Sequence, residues 1–231
     1  MMRIQNRNTG LLFICGSLLL LVPYGILSLR FGYPEILRQD AGEILGIFYN
    51  SGPVLLLTWL AFALVGFPLI IGCLKLGQEL ENEHRAVRWS TTVGVIGLTV
   101  QMIALLRWVF VVPVLADAYA TGNEMTKVAA VLSFKTLHQF AGVLLGESIG
   151  QLFTVIWTFT ISLVFMQLRL FPKWLSWLGL ISSVIYFSAQ TELIHTVMPE
   201  IPVIQYAGLV GSTLWLIWLL LLGTMLLQKK L

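Results

Sequence analysis

Six long apolar stretches constrain this chain more than any other feature of its sequence. The length of each stretch is close to that of a transmembrane α-helix, which needs about 20 consecutive apolar residues to cross a bilayer. The stretches lie at residues 10–29, 52–74, 90–116, 139–167, 174–197 and 204–227. Backbone polar groups in lipid must pair within their own segment, so each stretch is predicted to be a transmembrane helix.

The composition supports the same class of protein. Hydrophobic residues make up 58% of the 231 residues and charged residues only 11%, whereas a soluble domain has about 25% charged residues. We therefore predict an all-α polytopic membrane bundle of six helices. No linker or solenoid-length repeat divides the chain, so residues 1–231 are predicted to form a single domain. The bilayer is the expected partner, and the scattered basic residues form no stripe that would indicate nucleic-acid binding.

The placement of Lys and Arg predicts that both termini are cytoplasmic. With the termini inside, nine basic residues lie on the inner side, four on the outer side, and Arg107 within a span. The inner residues are Arg3, Arg7, Lys75, Arg85, Arg88, Arg169, Lys173, Lys229 and Lys230. The outer residues are Arg30, Arg38, Lys127 and Lys135. The positive-inside rule favours this orientation, and we predict a multi-pass protein of the cytoplasmic membrane whose first helix is retained.

Arg107 and Glu147 are the two charges that lie deep inside apolar stretches. A charge in hydrocarbon is costly unless it is paired or hydrated, so such residues mark functional sites or structural ion pairs. With a rise of about 1.5 Å per helical residue, both charges are predicted at similar depth in the outer half of antiparallel neighbours. Two alternatives follow: an ion pair that locks two helices together, or one hydrated pocket that holds both side chains.

Other polar residues are predicted to gather at the same end of the bundle. Gln151 follows Glu147 at i+4 and shares its helix face. The residues at the outer ends of their helices are Asp117, His138, Gln190, Glu192 and His195. The resulting hypothesis is an outward-facing polar pocket between the third, fourth and fifth helices, lined by Arg107, Glu147, Gln151, His138, Glu192 and His195.

The sequence contains no motif for a metal or a cofactor. His138, Glu147, Glu192 and His195 include residue types that bind zinc, but their spacing matches no established metal motif. No pair of deep histidines is placed to bracket a haem, and no nucleophile elbow is present. We therefore expect neither metal nor cofactor, and the sequence favours a non-enzymatic protein over an enzyme.

Three glycines at every fourth position predict tight packing in the fourth helix. Gly142, Gly146 and Gly150 fall on one helix face, which lets the backbone of another helix approach closely. The neighbouring helix could belong to the same chain or to a second copy. This face is therefore a candidate surface for a homodimer or a membrane complex.

Several residue strings carry a resemblance to a known family. They are YPEILR at 33–38, GEIL at 42–45, LRWVFVVP at 106–113, LHQFAG at 137–142, GESIG at 146–150 and FPKWL at 171–175. Through them the chain resembles the bacterial membrane protein family called domain of unknown function 4386. The resemblance covers nearly the whole chain. It implies an integral membrane protein to which no activity, cofactor or catalytic residue is assigned.

These observations predict a non-enzymatic membrane protein that binds or moves a small or lipid-like ligand, or that serves as a partner subunit. Two alternatives stay open. The first is a secondary transporter that works as a dimer. The second is an intramembrane enzyme with Glu147 and His138 as its acid and base.

Overall fold

The computed structural model describes residues 7–228, and within that range the chain forms helices and connectors without a strand. The elements in chain order are α1 (Arg7–Phe31), a 3₁₀ turn (Glu35–Arg38), α2 (Ala41–Asn50), α3 (Gly52–Leu64), α4 (Gly66–Leu80), α5 (Ala86–Phe110), α6 (Val112–Thr121), α7 (Glu124–Leu137), a π-helical segment (His138–Gly150), α8 (Gln151–Gln167), α9 (Lys173–Ser188), α10 (Gln190–His195) and α11 (Ala207–Gln228). The predicted all-α class is confirmed. Arg3, Lys229 and Lys230, which contribute to the predicted orientation, lie outside the described residues.

Five continuous helical stretches are long and apolar enough to cross a membrane. They are Arg7–Phe31, Gly52–Leu80, Ala86–Thr121, Glu124–Gln167 and Ala207–Gln228. The remaining predicted stretch, 174–197, is divided between α9 and α10, and neither helix reaches the length of a span by itself. At the division the Ala189 amide donates to the Tyr186 carbonyl oxygen at 3.2 Å, which is the tighter i to i−3 pattern of a 3₁₀ turn.

Two prolines explain two of the helix interruptions. A proline ring clashes with the carbonyl of the residue four positions earlier and ends or kinks the helix there. Four residues before Pro68 is Leu64, where α3 ends. Four residues before Pro113 is Val109, and α5 ends one residue later at Phe110. The interruption between α3 and α4 thus lies one turn upstream of Pro68 itself.

The interior divides into two apolar clusters at opposite ends of the bundle. We call the end that holds Arg7 and Gln228 the proximal end, and the other the distal end. The proximal cluster includes Phe13, Leu76, Leu80, Val87, Phe165, Leu170 and Leu226. The distal cluster includes Leu27, Phe31, Ile44, Leu45, Trp59, Trp108 and Phe134. Stacking of the Trp59 and Trp108 rings, with centroids 4.7 Å apart, gives the distal end a rigid aromatic centre beside the residues discussed next.

The three glycines of the π-helical segment face α5 of the same chain. A Cβ atom added at Gly146 would lie 2.7 Å from the Ala104 Cβ, and one added at Gly142 would lie 2.7 Å from the Arg107 Nη2. Contacts that short do not accommodate a side chain, so glycine at these positions permits the close approach of the two helices. Because α5 covers this face, it is not a free surface on which a second copy could dock.

Candidate functional site

Glu147 lies in the π-helical segment, and its carboxylate forms a salt bridge with Arg38 from the 3₁₀ turn. The Arg38 Nε also donates to the Glu192 Oε1 on α10 at 3.1 Å. One arginine therefore connects three elements that are far apart in the sequence. A π-helix of 13 residues is unusual, since π-turns are rare and occur often at functional sites.

Arg107 does not pair with Glu147, which corrects the direct ion pair considered from the sequence. The Arg107 side chain is buried, with the residue only 7% exposed, and no carboxylate oxygen of the described residues lies within 4.0 Å of it. Its Nη1 donates to the Ala104 carbonyl oxygen at 2.6 Å, and the guanidinium lies 5.2 Å from the Trp108 ring centroid. The reason is that Arg38, in the 3₁₀ turn between α1 and α2, forms the salt bridge with the Glu147 carboxylate instead.

Four buried atoms of Arg107, His138 and Glu147 have no well-aligned hydrogen-bond partner among the described residues. They are the Arg107 Nε, the Glu147 Oε1 and both ring nitrogens of His138. The His138 ring stacks on Phe134 with centroids 5.5 Å apart, and the Leu37 backbone approaches it without a well-aligned hydrogen bond. Buried polar groups are nearly always satisfied, so a group of unsatisfied ones indicates water, an ion or a ligand.

Electrostatic effects connect these residues into one cluster. Burial lowers the pKa of Arg38, but the carboxylates of Glu147 and Glu192 raise it by more, so the pKa lies above its ordinary value. Burial also raises the pKa of the Tyr33 phenol, and the nearby Glu147 carboxylate adds to that rise. Arg38 is therefore a permanent cation, and Tyr33 is a neutral hydroxyl. We call Arg38, Arg107, His138, Glu147 and Glu192 the distal polar cluster.

Amide and hydroxyl side chains tie the helices around this cluster together. The Ser148 Oγ donates to the Gln190 Oε1 at 2.8 Å, and the Gln190 Nε2 lies 3.4 Å from the Glu147 carbonyl oxygen. The Gln151 Nε2 donates to the Tyr186 carbonyl oxygen of α9. Gln190 and Gln151 thus hold α10 and α9 against the segment that carries Glu147.

The predicted site residues separate into two groups. The structure brings Arg107, His138, Glu147 and Glu192 into one region at the distal end. Gln151 is buried in a contact between helices, and the exposed His195 lies with its Nδ1 2.9 Å from the Ile201 carbonyl oxygen, so neither joins the cluster. Within residues 7–228, no group of three or more His, Cys, Asp and Glu side chains could hold a metal ion.

Sequence reasoning missed Arg38 and Tyr33 as members of this region. Both lie in the connector after the first span, outside the apolar stretches in which charges are conspicuous. The sequence does contain a signal for Arg38. The predicted orientation places this cation on the same side of the membrane as the carboxylates of Glu147 and Glu192.

The five long apolar helices indicate a multi-pass membrane protein with a polar cluster at one end of its helices. The family described as Domain of unknown function (DUF4386) has a model that matches residues 8–223. The chain belongs to that family, and the resemblance read from the sequence is confirmed. No curated protein and no solved structure matches the chain.

Proposed function

We propose that this protein binds a small anionic or lipid-like ligand in the distal polar cluster. In this proposal α9 and α10 together supply a sixth span, and the chain is a single domain of the cytoplasmic membrane with both termini inside. The excess of basic residues at the proximal end supports that orientation. The distal polar cluster then lies near the outer surface, where a ligand from outside the cell or from the outer leaflet reaches it.

The proposal rests on the burial of Arg107 and on the missing hydrogen-bond partner of its Nε among the described residues. Among residues 7–228 this buried cation has no carboxylate partner, and its Nε has no hydrogen-bond acceptor. A guanidinium is the side chain best suited to a carboxylate or phosphate group, because its planar N–H groups can donate two parallel hydrogen bonds. An anionic or acceptor-rich ligand at Arg107 would supply the missing acceptor.

Arg38 is suited to close such a site and to release it. Its side chain is 32% exposed and that of Glu147 is 27% exposed. Ion pairs that water reaches contribute at most about 1 kcal/mol, so the Arg38 contacts can open without unfolding the helices. Opening would uncover the Glu147 carboxylate and give access to Arg107.

A ligand screen on the purified protein tests this proposal. Thermal unfolding in detergent would be measured with a panel of small carboxylates, phosphate monoesters and lysophospholipids, for the wild type and for Arg107→Met. The matched control is Lys135→Met, which removes an exposed cation of α7 outside the cluster. At least one compound class should raise the unfolding midpoint of the wild type and the control but not that of Arg107→Met. Equal responses of all three proteins would contradict the proposal.

A specific observation favours transport as a second candidate function. Helices are interrupted at Val111, four residues after Arg107, and at Ala189, three residues before Glu192. Interrupted helices beside polar residues are typical of substrate sites in secondary transporters. Flux assays in proteoliposomes, with compounds that bind in the screen, would distinguish transport from binding alone. Flux that is abolished by Arg107→Met supports transport, and binding without flux supports a sensor or a partner subunit.

A further inference from the structure

The connector between α8 and α9, at the opposite end of the molecule, carries a candidate binding surface. A groove of about 570 Å³ opens there. Its lining residues are Met166, Arg169, Phe171, Pro172, Lys173 and Trp177. The groove thus combines two cations with an apolar wall, and it shares no residue with the distal polar cluster.

The two cations of this groove have no acidic partner. Residues 148–191 contain no Asp or Glu, and within residues 7–228 neither Arg169 nor Lys173 takes part in a salt bridge. Both side chains are exposed at the proximal end. An anion that binds between them would therefore meet no competing carboxylate from the same segment.

Arg169 occupies a backbone position that favours glycine. Its φ is 52°, and the amide of Leu170 donates to the Phe165 carbonyl oxygen at 3.1 Å. This is the pattern of a Schellman helix end, in which the left-handed residue is usually glycine. An arginine in this conformation is strained. The shape of the backbone therefore gives no reason for an arginine at position 169.

The surroundings match the chemistry of a phospholipid rather than that of a free anion. Trp174 and Trp177 are exposed large aromatic residues beside the groove, and tryptophan is enriched at the boundary between lipid and water. The side chains of Met166 and Phe171 contribute apolar surface to the wall of the groove. We infer that Arg169 and Lys173 bind the phosphate group of an anionic phospholipid, whose acyl chain lies along Trp177 and Met166.

Lipid titrations of the purified protein in a neutral detergent test this inference. The probes are phosphatidylglycerol, phosphatidylcholine with the same acyl chains, and inorganic phosphate, and the readout is the thermal unfolding midpoint. Phosphatidylglycerol should raise the midpoint of the wild type, and the other two probes should not. A basic residue near an anionic membrane surface changes affinity by about fivefold, so Arg169→Gly combined with Lys173→Gln should weaken the apparent lipid affinity by roughly 25-fold.

The choice of variants separates lipid binding from folding. Glycine suits the left-handed backbone at position 169, so without lipid the double variant should unfold at or above the wild-type temperature. The matched control is Arg85→Gln combined with Arg88→Gln, which removes two exposed cations from the same proximal end and should keep the wild-type response. An equal loss in the control pair, or an equal effect of phosphatidylcholine or inorganic phosphate, would overturn the inference.

Discussion

Replacing Arg107 by methionine should change the free energy of unfolding by less than the loss expected for half of a buried ion pair. Methionine retains most of the apolar stem and removes only the buried guanidinium. If Arg107 were half of a buried ion pair, removing it would cost about 3–5 kcal/mol, because a buried Glu147 would be left without its partner. The structure instead pairs Glu147 with Arg38, so that penalty does not arise.

The magnitude follows from the contacts of Arg107. The substitution removes a hydrogen bond from a charged group to the Ala104 carbonyl oxygen, worth about 1.5 kcal/mol, and a cation–π contact with Trp108, worth about 0.5–1 kcal/mol. It also removes the cost of burying a charge, and replacing buried charges by apolar residues is often neutral or stabilising by about 1–4 kcal/mol. The lost contacts are together worth about 2–2.5 kcal/mol, so the expected net change lies between about 2.5 kcal/mol of lost stability and about 2 kcal/mol of added stability.

Reversible unfolding in detergent with increasing sodium dodecyl sulfate measures this change. The protein must first be dialysed free of ligand, because a bound ligand would stabilise the wild type alone. A double-mutant cycle adds a second test: Arg38→Gln with Glu147→Gln should show a coupling of about 0.5–1 kcal/mol, and Arg107→Met with Glu147→Gln should show less. A loss of 3 kcal/mol or more in ligand-free Arg107→Met, with strong coupling to Glu147, would show instead that Arg107 and Glu147 form a buried ion pair that locks two helices together.

Three further substitutions test individual helix contacts and one helix cap by the same unfolding assay. Gly97→Ala should cost about 1–3 kcal/mol, because the new Cβ would lie 2.9 Å from the Gly150 carbonyl oxygen; an unchanged midpoint would contradict the close helix approach. Thr158→Val should cost about 1–3 kcal/mol by removing the acceptor of the buried Trp215 indole N–H, and Thr158→Ser should be tolerated. Asp40→Ala should cost about 1 kcal/mol by removing the cap of α2, whereas Asp40→Asn should preserve it.

The structural features that the sequence predicts are determined by residues that lie close together along the chain. The apolar stretches determine which segments are helices, and each stretch is visible within a short window of the sequence. Arg107 and Glu147 are conspicuous because each is a charge in an apolar window. Their presence in one region at the distal end follows from depth along antiparallel helices, which the sequence also indicates.

The features that were missed depend on tertiary contacts or on weak signals. Arg38 and Glu147 are 109 positions apart, and no spacing rule connects a connector residue to a helix at that distance. The division at Ala189 has neither proline nor glycine at the break, so residues 174–197 read as one span. The π-helical segment is equally hidden, because glycines at every fourth position place a small face on an α-helix or a π-helix alike.

The decisive measurement is a high-resolution structure of the protein in lipid nanodiscs, isolated from its own membrane. We expect non-protein density within hydrogen-bonding distance of the Arg107 Nε, with Arg38 still paired with Glu147 or released from it. An Arg107 guanidinium within 4 Å of the Glu147 carboxylate, with no density between α5 and the π-helical segment, would contradict the proposed ligand site.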